Sequence, residues 1–270
     1  MRVLDLMTTG TNFLEQIMTA DQYVENILSK YAVATGPYSA AEHAANAVAP
    51  AIRQWASKWL AEIRYSGSYA KGTAISIGTD VDLFISLLST TGGTLAEIYQ
   101  SLYNLASQQG WQPQRQNVSI GITYGNTRLD LVPGRIQQGY QNYHSLYVNK
   151  RRTWAQTNVS LHLDTVANSG RSREIRAIKV WRTLRGLDFP SFYLQLFVIE
   201  ALKYRPRDQL ATNVLAALNA IAASLAATRI VDPANSNNVV SDDLTLAEKS
   251  AIAAQAKLSA GEQYWGRIIW

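Results

Sequence analysis

The 270-residue sequence contains no cysteine, so neither a disulfide framework nor a thiolate-bound zinc site is open to it. Histidine is nearly as scarce: His43, His144 and His162 stand far apart, without the close spacing of metal-binding imidazoles. Charged residues make up only 17% of the chain against 47% hydrophobic ones. That balance excludes wholesale disorder and supplies apolar material for a sizeable core. No basic segment followed by an apolar run opens the chain, so no secretory leader is expected. The longest uncharged stretch, Gln209 to Thr228, places Leu210, Val214, Leu218, Ile221 and Leu225 three or four residues apart. This spacing predicts a buried amphipathic helix, not a membrane span. A cytoplasmic location is the expectation that fits these absences.

What charge there is has a pattern. The net charge is +5. Between Lys150 and Arg207 the basic residues Lys150, Arg151, Arg152, Arg171, Arg173, Arg176, Lys179, Arg182, Arg185, Lys203, Arg205 and Arg207 face only Asp164, Glu174, Asp188 and Glu200. Such a local positive field suits a polyanionic ligand, although a charged stretch is also what a solvated face looks like.

Periodicity predicts helices over 11–31 and 38–61, with Pro50 kinking or restarting the second. A short strand at Ile63–Tyr65 precedes a turn at Gly67-Ser68, and Val81–Leu88 reads as a strand covered on both faces. Thr94 to Gln109 is helical, with Thr94 and Glu97 spaced for a capping box. Val118–Tyr124 and Thr127–Val132 flank Gly125-Asn126, a hairpin signal, and Pro133-Gly134 is expected to close the second strand. Ser145–Asn149 is a further strand. Beyond Asn158 the chain reads as helices at 159–168, 172–186, 191–204, 208–229 and 243–260, with a loop over 231–240. The class is therefore α+β: a mixed α/β half feeding an all-helical half, with a cleft between them.

The most informative segment is Gly67-Ser68-Tyr69-Ala70-Lys71-Gly72-Thr73, followed by Asp80-Val81-Asp82. Gly67 lets backbone approach a ligand closely, and Ser68 offers a hydroxyl and neighbouring amides to phosphate oxygens. Asp80 and Asp82 are two apart on a strand, so their carboxylates share one face and repel unless a cation lies between them. Asp130, within the apolar run Arg128-Leu129-Asp130-Leu131-Val132, is the candidate third carboxylate if its strand pairs beside that of Asp82. An all-oxygen set points to magnesium or manganese, two ions in a complete site.

The stretch Gly67 to Leu87 resembles the signature of the DNA polymerase β-like nucleotidyltransferases, and Gly67–Thr73 is similar to the oligoadenylate-synthase and archaeal CCA-adding branch. Arg128–Pro133, Trp154–Asn158, Phe189–Leu194 and Asp232–Val239 follow in the matching order. Together they look most like the CD-NTases, the bacterial cyclic-oligonucleotide synthases related to cyclic GMP–AMP synthase. The resemblance implies a bilobed unit: N-terminal helices and a catalytic lobe with a mixed sheet over 1–155, an α-helical lobe over 156–270, and the active site between.

It further implies that Gly67 and Ser68 contact the triphosphate, and that Asp80, Asp82 and Asp130 bind two Mg2+ (or Mn2+) ions. Lys179 and Ser191 would contact phosphate, and Phe192 or Tyr193 would stack on a base. The residues themselves leave other readings open. Lys179 at the edge of an apolar face is what a snorkelling surface lysine looks like, Ser191 suits a helix cap, and Phe192 and Tyr193 suit a core. His162 carries no assigned role.

The implied activity is synthesis of cyclic or linear oligonucleotide messengers from ATP and other NTPs in antiphage defence of the CBASS type. The implied partners are a protein activator and a separate effector that reads the product, with no membrane and no required nucleic acid. The alternatives are an RNA-terminal nucleotidyltransferase and a non-catalytic nucleotide-binding regulator.

Overall fold

The computed structural model describes residues 18–78 and 80–270. Residues 11–17, the start of the first expected helix, lie outside that range. The remainder forms α1 (Ala20–Lys30), where Thr19 and Gln22 satisfy each other's backbone N–H groups in a capping box. Next, α2 (Ala40–Ala56) runs through Pro50 without restarting, the proline lying on its exposed side. It stops earlier than its apolar pattern suggests, because Ser57 turns the backbone out of the helix at a φ of 48°. The released residues begin β1 (Leu60–Tyr65).

A single turn of helix, α3 (Gly67–Ala70), leads to β2 (Val81–Leu87). Then α4 (Leu95–Gln108) starts with the Thr94–Glu97 capping box that its sequence announces. The short β3 (Gln114–Arg115), β4 (Ile120–Tyr124), β5 (Thr127–Gln137), β6 (Tyr140–Val148) and β7 (Thr153–Thr157) complete a seven-stranded sheet of order β1-β2-β5-β4-β3, with β6 pairing β5 and β7 pairing β6.

Pro133-Gly134 does not close β5. The strand continues to Gln137 because one of its edges changes partner there, from β4, last paired at Leu131, to β6, first paired at Gly134. A proline is tolerated where no partner on that edge loses a donor. Among the described strands only β2 and β5 pair in parallel, in a register that sets Asp82 opposite Asp130.

The rest of the chain is helical: α5 (Val159–Ser169), α6 (Ser172–Leu184), α7 (Ser191–Ala201), α8 (Leu210–Ser224) and α9 (Leu246–Ala260). Among the described residues no helix is long and apolar enough to cross a membrane.

Two main cores result. One face of the sheet, with Leu83, Ile85, Leu129 and Leu131, packs on Val48, Ile52, Ile98 and Leu102 of α2 and α4. The other core lies within the helices around Trp181, Tyr193, Leu194, Leu218 and Ile221, and it includes Val24, Ile27 and Leu28 of α1. The Tyr23 and Tyr31 hydroxyls of that region donate to the Ile269 and Trp270 carbonyls. A boundary near residue 155 remains a proposal for where one half passes into the other. The second face of the sheet carries a small cluster of Phe84, Val132, Leu146 and Val159, and it is this face that bears the polar chemistry.

Candidate active site

Alternation along β2 puts Asp82 on the face away from the α2/α4 core, and the parallel register places Asp130 of β5 beside it. Both carboxyls are perturbed upward. Burial raises Asp82 to about 6, opposed by Lys71 and assisted by Asp80. Burial raises Asp130 to about 7, with the charges of Asp82 and Asp80 adding to it. The Gln116 amide donates to Asp130 Oδ1 at 2.7 Å.

Asp80, just before the strand, pairs with Arg128 at 3.4 Å, and both side chains are more than a third exposed. Among the described residues no three His, Asp or Glu side chains gather closely enough to hold a metal ion. The donor set nevertheless suits a hard divalent cation: two desolvated carboxylates face each other, and an exposed ion pair such as Asp80–Arg128 is cheap to break.

The turn holding Gly67 and Ser68 rests directly on this pair. Ser66 N–H donates to the Asp82 carbonyl at 2.9 Å. Gly67 has a φ of 57°, and a Cβ there would overlap the Asp82 carboxylate. Glycine is therefore required twice over, by conformation and by space. The Ser68 carbonyl accepts from Thr73 N–H at 3.0 Å, closing the turn.

Helices from the other half support it. Lys179, on α6, is 1% exposed and donates to the Thr73 carbonyl at 2.9 Å. Gln195, on α7, donates to Thr73 Oγ1 at 3.0 Å and accepts from Lys71 Nζ at 3.3 Å. Burial lowers Lys71 to about 8 and Lys179 to about 7; Asp82 pulls each of them up. Lys179 is thus a buried tie between the halves, not a snorkelling surface lysine.

Beside the turn lies a cleft of about 140 Å³, bounded by Gly67, Lys71, Phe84, Thr157, His162 and Phe192. Phe192 presents its ring 4.6 Å from Lys71 Nζ and 4.6 Å from the His162 ring. His162 in turn meets Asp232 at 2.7 Å. Burial alone would raise Asp232, but His162, Ala234 N–H and the Asn238 amide outweigh it and hold the carboxyl below its ordinary value.

One expected residue is not brought here. Tyr193 is fully buried in the helical core against Phe189 and Phe197, its hydroxyl donating to the Leu225 carbonyl, which leaves no face for a base. Ser191 is the first helical residue of α7 and not its cap, which is Pro190 without a side-chain bond. Its hydroxyl accepts from Arg182 at 2.8 Å.

Sequence reading missed Lys71 and Gln195 in the support of the turn, Gln116 on Asp130, and the His162–Asp232 pair. Lys71 had a visible signal, a lysine inside the glycine-serine segment. The others are joined only by the fold.

No family model matches the chain, and no curated protein matches its sequence. Solved structures do share its fold. It superposes on the Bradyrhizobium diazoefficiens CD-NTase CdnG in complex with GTP with a TM-score of 0.75, at 14% identity over 90% of each chain. With the Elizabethkingia meningoseptica CdnE cyclic dinucleotide synthase, bound to GTP and Apcpp, the score is 0.69 at 14% identity, over 91% of this chain and 100% of that one. Escherichia coli MS115-1 CdnC, in its complex with a HORMA protein, gives 0.66 at 19% identity over 88% of each. The chain has the CD-NTase fold.

Proposed function

We propose that the chain is a metal-dependent nucleotidyltransferase that joins NTPs, ATP among them, into cyclic or linear oligonucleotide messengers in antiphage defence of the CBASS type. The observation that carries this reading is the pairing of Asp82 with Asp130 on adjacent parallel strands, both desolvated, beneath a turn that only glycine fits. The fold shared with cyclic-nucleotide synthases supports it.

In the reaction a hydroxyl oxygen of one nucleotide bonds to the α-phosphorus of another, the bond to pyrophosphate breaks, and the hydroxyl proton passes to solvent. The Gly67-Ser68 turn would hold the triphosphate, with Lys71 and Lys179 supplying positive charge beneath it. Phe192, backed by His162, offers a ring face to a base. Two divalent ions held by Asp82, Asp130 and Asp80 would lower the pKa of the attacking hydroxyl and neutralise the departing pyrophosphate. Asp80 would exchange Arg128 for that role. The HORMA complex of CdnC supports including a protein activator, and the product would act on a separate effector. A cytoplasmic setting belongs to the same proposal.

The test is mass spectrometry of products from all four NTPs with Mg2+ and Mn2+, with and without RNA. The expected result is a small phosphodiester-linked nucleotide and released pyrophosphate, with turnover falling about 10³-fold or more in Asp82→Ala. An Asp82→Ala chain as active as the parent would refute the site. Label appearing on RNA ends instead would select the RNA-terminal alternative.

A further inference from the structure

The face of the sheet that bears Asp82 continues past the carboxylates. Along β2, Asp82 is followed on that face by Phe84 and then Ser86. Phe84, Val132, Leu146 and Val159 form an apolar plug across the middle of the face. Gly134 makes room for it, since a Cβ there would stand 2.5 Å from Phe84 Cζ. Beyond the plug, at the Ser86 end, a second cleft of about 490 Å³ opens, lined by Glu62, Arg64, Ser86, Ile136, Asn142 and His144 among others. Its size is that of a small-molecule site.

The floor of this cleft has hydrogen-bonding capacity left over. His144 is 2% exposed; its Nε2 meets Ser86 Oγ at 2.7 Å, and the Asn142 backbone supports the other side of the ring. Arg64 Nη1 donates to Ser160 Oγ at 3.2 Å. Its Nε is buried and makes no hydrogen bond, although the Glu62 carboxylate stands 3.3 Å away, because that contact is out of line. Buried polar atoms in native proteins are seldom left in this condition, and one on a guanidinium lining a cleft calls for a better partner. Glu62, whose side chain is about half exposed, is a poor and replaceable counter-ion for the guanidinium.

We propose that this cleft binds a small organic anion. A carboxylate or phosphate head replaces Glu62 at Arg64 and reaches the Ser86–His144 pair directly or through water. An apolar body lies against Ile136, Leu88 and Ala61, which also line the cleft. The site is separate from the nucleotide cleft, and the proposal does not depend on the catalytic reading.

The experiment is calorimetric titration of the full chain with benzoate, phenyl phosphate and inorganic phosphate, with benzyl alcohol as the neutral control. At least one of the two aromatic anions should bind and the alcohol should not; the tighter of the two identifies the head group. Arg64→Gln should weaken binding about tenfold, the loss of one charge-assisted hydrogen bond. Glu62→Gln, at an exposed position, should tighten it, and this variant decides the matter if Arg64→Gln fails to fold. Asp130→Asn should leave it unchanged. Failure of both aromatic anions to bind would overturn the proposal. So would indifference to both the Arg64 and Glu62 changes, or competition with ATP that Asp130→Asn abolishes.

Discussion

In the helical half, Arg171 and Glu174 are each about 2% exposed, joined at 2.9 Å, and the Asn213 amide donates to the same carboxylate at 3.2 Å. Three more guanidinium hydrogens go to the carbonyls of Leu202, Arg205 and Pro206, which pins the turn after α7. Beneath the Gly67 turn, by contrast, Asp82 and Asp130 face each other with raised pKa values, while Lys71 and Lys179 have depressed ones. One group of charge is paired and hydrogen-bonded, and the other is held in a state that a ligand would relieve. The difference separates charge that organises a turn from charge left in mutual conflict, as at sites that take a ligand.

The comparison can be broken from either side. The largest effect should come from Glu174→Ala, which leaves Arg171 buried without its counter-charge; about 3–5 kcal/mol of stability should disappear in urea unfolding. A loss below about 1 kcal/mol would show that the matched group is dispensable.

In the other region the sign should reverse. Asp130→Asn removes one of two facing carboxylates and should stabilise the metal-free protein by about 1 kcal/mol. Mg2+ should raise the melting temperature of the parent, and Asp130→Asn should erase that rise. If the variant melts lower than the parent without metal, the two carboxylates are not in conflict.

A third effect, spread over a range of pH, concerns a buried group kept neutral. Burial, with the Arg64 charge, holds His144 down at about 4 against an ordinary 6.5. The folded state therefore binds this proton more weakly than the unfolded chain. The contribution is fully present above pH 6.5 and drains away as pH falls towards 4, at no more than about 1.4 kcal/mol per pH unit. His144→Gln should flatten that part of the stability profile; an unchanged slope would assign the acid sensitivity to other groups.

The local chemistry was legible where a few consecutive residues carry it. Gly67-Ser68, the Asp-x-Asp pattern and the capping box at Thr94 need no distant partner to be read. The pairing of the Asp82 and Asp130 strands stood only as a condition in the sequence, and the register supplies it. The edges of elements were not legible: β1 begins because Ser57 adopts a φ unusual for its residue type, and β5 passes through Pro133 because its neighbour changes. Nor were the supports of the turn, since Lys179–Thr73 and Lys71–Gln195 join residues 106 and 124 positions apart. Tyr193 shows the same limit. Its neighbour Phe192 meets the cleft, and one step along α7 rotates the next ring into the core.

Those long-range supports bear on how far the proposed catalytic motif can be moved. The loop that would grip a triphosphate keeps its shape through a lysine and a glutamine supplied by α6 and α7. A sheet half excised from this chain would retain every signature residue and lose the scaffolding that presents them. The motif is not a transplantable cassette, and drift in the remote helices should surface first as altered substrate affinity.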